Sequence, residues 1–194
     1  NTALDDPMKN FSRVIVKPFT SMNISGGNGY AIEIRQGNNY DIMLMNSRKS
    51  FFRMKESGDT LTINFSVANQ TYQLPQSCIT GLVITVPKLM SLHLSGTNNI
   101  IGPFAQDSLN LFQDSRTFTR MRQGTFTKLS IDATQESTID MERGNTATAF
   151  LLRLKNKASL TMNGISVEKF IPIVKDSARL IFFGKSFDQL KGNY

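Results

Sequence analysis

The side chains best suited to chemistry in this chain are six carboxylates in its second half. They are Asp107, Asp114, Asp132, Glu136, Asp140 and Glu142. Two acids flanking a sugar linkage can cleave it, because one protonates the leaving oxygen while the other activates water or attacks. No sequence rule sets two of these acids at the separation that this reaction needs, so we expect solvated surface groups. A glycan-cleaving site is the alternative.

A basic segment offers a second kind of chemistry. It contains Arg116, Arg120, Arg122 and Lys128, with no acidic residue between them. One hypothesis is an anion-binding patch for an acidic glycan or lipopolysaccharide, and the other is a solvated basic face. Arg120 and Arg122 share strand parity with Phe118, so a continuing strand would bury unpaired charge. We therefore predict a bend or protruding loop near Thr119.

The remaining reactive side chains indicate no catalytic, metal or cofactor site. His93 is the single histidine and is predicted to face outward, between Leu92 and Leu94. Cys78 is the single cysteine, which excludes an internal disulfide, and we expect a buried thiol. The Gly-rich residues 25–29 lack the Lys-Ser/Thr ending of a phosphate loop and are interpreted as a turn. The sequence therefore predicts no catalytic residue, no metal and no cofactor.

Composition restricts the class of protein. The chain has 194 residues, of which 40 % are hydrophobic and 19 % charged, which is typical of a globular protein. The net charge of +7 comes without a run of five or six basic residues and without an aromatic-basic signature, so we expect no nucleic-acid partner. No stretch approaches the about 20 apolar residues of a membrane helix. The polar, acidic N-terminus is no signal peptide, and we interpret the chain as a mature or trimmed form, with membrane attachment only through a removed lipoprotein anchor.

The elements that position these groups follow a repeat. Gly124, Gly144, Gly164 and Gly184 recur every 20 residues. Each repeat begins with an apolar pair of period two, namely Leu92/Leu94, Leu109/Leu111, Leu129/Ile131, Leu152/Leu154 and Ile171/Ile173. A polar corner follows, namely Asn98-Asn99, Asp114-Ser115, Thr134-Gln135, Lys155-Asn156 and Asp176-Ser177. A second apolar anchor comes next, namely Ile100, Phe118, Ile139, Leu160 and Leu180.

This period predicts an all-β fold, a right-handed parallel β-helix of about 20 residues per coil. The first half alternates in residues 30–34 and 40–44 around a turn at Gly37, and we expect hairpins or irregular coils there. We predict a single domain over residues 1–194. It would comprise N-terminal strands and first coils (1–80), regular coils (81–184) and a C-terminal tail or cap (185–194). Phe182, Phe183 and Phe187 would supply apolar cover at that end.

Residues 19–65 and 82–100 resemble a known bacterial family. The marks are the Ile34-Arg35-Gln36-Gly37 turn, the segment from Gly58 to Ile63, and the Val86-Pro87-x-Leu89 stretch running into Leu94-Ser95-Gly96. The family is described as putative auto-transporter adhesin, head GIN domain. The resemblance implies a right-handed β-helix exported from Gram-negative cells, often as a lipoprotein, with a largely unassigned molecular role. The later corners at 114–117 and 175–178 depart from the family's Ser-Gly-x-Gly pattern.

The functional hypothesis is a non-enzymatic protein of the cell envelope or surface. We expect an adhesin or scaffold, located in the periplasm, the outer membrane or at the cell surface, that binds a glycan or a surface protein. Self-association through stacked coil ends is a further expectation. The alternative is a carbohydrate-active β-helix enzyme, a polysaccharide lyase or glycoside hydrolase. Two acids from adjacent coils about 5–10 Å apart would favour the enzyme.

Overall fold

The structure is a computed structural model that describes residues 6–26, 30–66, 79–186 and 188. The first nine strands are β1 (Phe11–Val14), β2 (Ser21–Ser25), β3 (Ala31–Gln36), β4 (Asp41–Met45), β5 (Phe52–Ser57), β6 (Thr60–Phe65), β7 (Thr80–Val86), β8 (Ser91–Ser95) and β9 (Asn98–Ile101). The next eight are β10 (Phe104–Asp114), β11 (Phe118–Met121), β12 (Gly124–Ala133), β13 (Thr138–Met141), β14 (Thr146–Leu154), β15 (Ser159–Asn163), β16 (Ser166–Val174) and β17 (Arg179–Phe183). A 3-10 helix, Asn46–Arg48, follows β4.

The strands form two sheets that face each other across one core. Sheet A has the order β1-β4-β7-β3-β9-β11-β13-β15-β17, and sheet B has the order β16-β14-β12-β10-β8-β2-β6-β5. From β8 onward each coil is one strand of sheet B followed by one strand of sheet A. Strand makes up 63 % of the described residues, in a solenoid of about five turns with coils of roughly 20 residues. The predicted all-β solenoid is therefore confirmed.

The stacking of equivalent residues explains why the coils hold together. Ile139, Leu160 and Leu180 are register partners on successive strands of sheet A. The apolar pairs of sheet B from Leu92/Leu94 to Leu152/Leu154 are also buried, as their alternation predicts. Fully burying a side chain of this size contributes about 1.5–3 kcal/mol, and here the neighbouring coil provides much of the cover. A single coil has no core of its own.

Two predicted anchors and the predicted bend are wrong. Strand β11 runs unbroken through Thr119, which is buried and pairs with Ile139, while Phe118 and Arg120 face outward. Ile100 likewise faces outward and its neighbour Asn99 is buried. Outward-facing Arg120 needs no bend to avoid burial. The register with the next coil decides which side chains of β11 point inward, because Thr119 must lie in line with buried Ile139.

A buried polar network replaces the missing apolar anchors. The Asn99 amide donates to the hydroxyls of Thr97 at 2.9 Å and Thr119 at 3.2 Å. The Thr119 hydroxyl donates to Gln113 Oε1 at 2.6 Å, and the Gln113 amide donates to the Thr138 carbonyl at 3.1 Å. These side chains are tolerated inside the solenoid because their donors have partners there.

The ends of the regular region also differ from prediction. Asn98 and Asn99 lie in β9 rather than at a corner, and the chain turns instead at Gly96, whose φ is +63°. In the last coil, Pro172 and Val174 are the register partners of buried Leu152 and Leu154, so Ile171 and Ile173 face outward. The two strands of this coil, β16 and β17, are edge strands of sheets B and A in the described part of the chain. Its exposed apolar side chains are Ile171, Ile173, Val174, Ile181 and Phe183.

The first half stacks out of sequence order. The pair β2/β3 lies between β6/β7 on one side and β8/β9 on the other. Strands β3 and β4, which flank the predicted turn, are separated by β7, whereas β5 and β6 form an antiparallel pair. The antiparallel pairs β1/β4, β4/β7 and β5/β6 lie at the end of the two sheets opposite β16 and β17. The predictions for Cys78, for Phe187 and for residues 27–29 lie outside the described residues.

Glycines mark the return corners, as the repeat predicts. Gly102, Gly144, Gly164 and Gly184 have φ values of +127°, +90°, +64° and +59°. In the coil of Gly124, the neighbouring Gln123 takes the left-handed conformation with φ of +49°. Gly124 is needed for a different reason. The Phe126 ring packs so closely on it that an added Cβ would lie 2.6 Å from the ring.

Candidate functional site

Four two-residue corners stack along one edge of the solenoid, between sheet B and sheet A. They are Ser115-Arg116, Gln135-Glu136, Asn156-Lys157 and Asp176-Ser177, and all eight residues have positive φ. Each corner is closed by a backbone hydrogen bond across the turn, such as Thr117 N–H to Asp114 O at 3.1 Å. Two consecutive left-handed residues give the tight reversal of a primed β-turn. The sequence predicts these corners to within one residue.

Hydrogen bonds between successive corners hold the stack in line. The amide of Arg116 donates to the Gln135 carbonyl at 2.9 Å, and that of Glu136 donates to the Asn156 carbonyl at 2.9 Å. The amide of Lys157 continues the series to the Asp176 carbonyl at 3.0 Å. These backbone donors are used within the protein, so the side chains are what the edge offers to a ligand.

The stacked corners line an open groove of about 650 Å³, which we call the corner groove. Its lining residues are Ser115, Arg116, Gln135, Glu136, Asn156, Lys157, Asp176 and Ser177. Two are basic and two acidic, so the groove has no net charge. Arg116 Nε lies 3.4 Å from Glu136 Oε2, and both side chains are largely exposed. Gln135 Oε1 accepts from the amide and hydroxyl of Ser115, each at 3.2 Å.

The basic segment does not come together as one patch. Arg116 lies in the corner groove, and Lys128 is exposed on the outer face of sheet B. The Nε atoms of Arg120 and Arg122 lie 3.2 and 3.0 Å from the two carboxylate oxygens of Glu142, on the sheet A side. Both contacts are within ion-pair distance but lack hydrogen-bond alignment. Anion binding by these four residues stays a prediction.

Four of the six candidate acids lie against a basic side chain. Asp114 contacts His93, Asp132 contacts Arg153, and Glu136 and Glu142 contact arginines as described above. Asp140 lies on the outer face of sheet A, in register with Arg120, and Asp107 is exposed. Among residues 6–26, 30–66, 79–186 and 188, no three His, Cys, Asp or Glu side chains are grouped to hold a metal ion.

Asp114 has the most distinctive electrostatic environment of these acids. His93 faces outward, as predicted, and its Nε2 lies 3.2 Å from Asp114 Oδ2. Partial burial acts to raise the pKa of Asp114, but hydrogen bonding with Ser95, His93 and Ser115 outweighs it and holds the pKa below its ordinary value. The ionised carboxylate is therefore the form that the fold favours.

We expect Asp114→Asn to lower stability in a pH-dependent way. A depressed carboxyl pKa contributes stability above the unfolded pKa of about 3.9, and this contribution disappears as pH falls through the folded value. The variant should therefore be less stable than the parent at pH 7, by about 1–2 kcal/mol. The difference should vanish in acid. Urea unfolding across this range measures it, with exposed Asp107→Asn as the control. A gap that persists unchanged in acid would contradict the assignment.

Comparison with solved structures shows that this architecture is shared with a known protein. A protein described as a putative adhesin from Parabacteroides distasonis superposes with a TM-score of 0.63 at 11 % identity, covering 90 % of this chain and 94 % of that one. The two chains share a fold. A putative adhesin from Bacteroides fragilis gives a TM-score of 0.48 at 13 % identity, with 86 % and 95 % coverage. One from Parabacteroides merdae gives 0.48 at 10 %, with 90 % and 95 % coverage.

Sequence comparison adds nothing to this likeness. No protein-family model matches the chain, and no curated protein matches it. The identity to the Parabacteroides distasonis protein is low, so the shared property is the fold. Within the part of the chain that the structure describes, no helix has the length and apolarity to cross a bilayer.

Two features of the structure, one in the interior and one on the surface, are not predicted by the sequence. Arg48 is buried, with its guanidinium 4.5 Å from the Tyr30 ring centre and 5.1 Å from that of Phe51. Burial lowers the pKa of Arg48, partly offset by Tyr30. The corner groove is the second, because it exists only once four separate turns lie in line. Neither has a local sequence signal beyond the residue types themselves.

Proposed function

We propose that this chain is a non-enzymatic protein of the bacterial cell envelope or surface, with an adhesive or scaffolding role. It would bind a glycan or a segment of a surface protein in the corner groove. The observation that carries the proposal is the groove itself, an open surface groove lined by polar and charged residues from four stacked corners. Solenoids use such stacked surfaces for binding, because each repeat adds another copy of the same contact position.

Two further observations support this assignment. The shared fold with a protein described as a putative adhesin is consistent with an exported, extracytoplasmic protein and with the head GIN domain resemblance. Most candidate acids lie against basic side chains, whereas a glycosidase needs one carboxyl group that can give up its proton. Anion binding by Arg116 would then occur in the groove, and any binding by Arg120 and Arg122 would occur on the sheet A side.

A glycan and envelope-protein array tests the proposal, with Arg116→Ala/Lys157→Ala as the groove variant. We expect the parent to be retained on at least one array member and the groove variant to lose about tenfold in affinity. Lys128→Ala/Lys169→Ala is the matched control, because it removes the same charge from the outer face of sheet B. Arg120→Ala/Arg122→Ala tests the remaining basic pair.

Several outcomes would contradict this function. Equal retention of parent and groove variant would exclude the groove as the binding site. Release of reducing ends from any array polysaccharide would show an enzyme. Loss of binding at raised salt would instead support a charged ligand, because exposed ion pairs are screened within a few ångström at high ionic strength.

A further inference from the structure

The outer face of sheet B is uncharged across three neighbouring strands. Every outward position on β6, β2 and β8 is Ser, Thr or Asn, apart from the single His93. This is unusual in a chain with 22 basic and 15 acidic residues. Short hydroxyl and amide side chains also have little rotamer freedom to lose on binding. We call these three strands, with Asn110 and Phe112 of the adjoining β10, the neutral face. The Asp114 carboxylate of β10, in register with Ser95, lies at its border.

The central row of the neutral face runs along the solenoid axis. Thr62, Asn23, His93 and Phe112 are register partners on four successive strands. Adjacent strands lie about 4.8 Å apart, so a polar group recurs at that interval and leads up to an aromatic ring. Ser91 and Asn110 lie side by side in the flanking row. The row has the dimensions of an extended chain, rather than of a compact ligand.

Phe112 is a large apolar side chain that borders this polar surface. It is 38 % exposed although its strand neighbours on either side point into the core. The His93 ring packs edge-on against it, with centroids 4.7 Å apart and an interplanar angle of 77°. Asp114, two residues farther along β10, lies 3.2 Å from His93 Nε2 and helps to hold the ring. Phe112 is therefore supported by its neighbours while part of its ring stays open to solvent.

We propose that the neutral face binds uncharged sugar units of an extended glycan, with one unit stacked on Phe112. A sugar ring has an apolar C–H surface that suits an aromatic ring, and hydroxyls at its edge that suit amide and hydroxyl groups. Asn23 supplies both a donor and an acceptor for those hydroxyls. An acidic sugar or a phosphate would find no Lys or Arg on β6, β2 or β8, and it would meet the Asp114 carboxylate at the β10 border. At the opposite border, Lys55 of β5 is the register partner of Thr62. This inference rests on the glycan arm of the proposed function, at a second site that borders the corner groove where the Ser95 hydroxyl lies 3.3 Å from that of Ser115.

Isothermal titration of the full chain with defined oligosaccharides tests the inference. The neutral probes are linear hexasaccharides of glucose, of mannose and of galactose, and the acidic probe is hexagalacturonate. We expect at least one neutral probe to bind with an affinity that raised salt leaves unchanged. Phe112→Ala should weaken that binding about tenfold, and Asn23→Ala about threefold. Amide chemical shifts should change on β2, β8 and β10.

Phe118→Ala is the matched control, because Phe118 belongs to the same coil but faces outward on sheet A. Full binding by Phe112→Ala, or equal losses in both variants, would overturn the inference. So would the absence of binding by all three neutral probes. If hexagalacturonate alone binds, and the groove variant loses it, the neutral face is excluded and the proposed function stands. If an envelope protein binds through Phe112 and no sugar does, the face is a protein-docking surface and the inference is wrong.

Discussion

Phe150→Ala should destabilise the protein by about 3–5 kcal/mol, because it removes a large side chain from the centre of the core. Phe150 is fully buried on β14 and lies in register with Leu129 and Phe170. Its ring centroid is 5.3 Å from that of Phe170. The cavity would open between two coils, and neighbour contacts are what stabilise a solenoid.

Urea unfolding followed by circular dichroism measures this loss. Phe118→Ala serves again as the control, since its ring faces solvent and contacts the guanidinium of Arg120. We expect the control to lose less than about 1 kcal/mol. A loss of that small size for Phe150→Ala would mean that the coils do not share one core. An unchanged midpoint with a lower slope would instead indicate that unfolding has ceased to be cooperative.

Gly102→Ala should destabilise the protein by about 3 kcal/mol or more, because the backbone has no room for a side chain there. Gly102 has a φ of +127°, which L-residues rarely adopt. An added Cβ would lie 1.8 Å from the Arg122 carbonyl oxygen in the next coil. The same glycine donates its amide to the Ile34 carbonyl at 2.9 Å. Relief of the clash must therefore displace one of two neighbouring coils.

Gly58→Ala isolates the conformational part of this effect. Gly58 also has a positive φ, of +59°, but a Cβ added there, at the β5–β6 turn, would have no neighbouring atom within 4 Å. That substitution should cost only about 1–2 kcal/mol, the usual penalty of a left-handed L-residue. Thermal or urea unfolding of both variants separates the two contributions. Equal losses would show that the contact with Arg122 carries no weight.

The sequence alone determines the repeat, the sheet B apolar pairs from Leu92/Leu94 to Leu152/Leu154, and the last four of the five polar corners to within a residue. These features are readable because they are local and recur in step with the glycines. The same alternation fails at Asn99 and Thr119, where small polar side chains are compatible with either face. Their inward direction follows from the register with Ile139 and from the hydrogen bonds that Gln113 offers.

Tertiary structure decided which coils are neighbours and which charges meet. The insertion of β2/β3 between β6/β7 and β8/β9 has no local signal, because any exposed parallel strand can accept any other. Glu142 meets Arg120 and Arg122 of the preceding coil, and the corner groove joins residues about 20 positions apart along the chain. Local sequence sets which faces are apolar and where the chain turns. Contacts between coils depend on the stacking register, which only the folded core imposes.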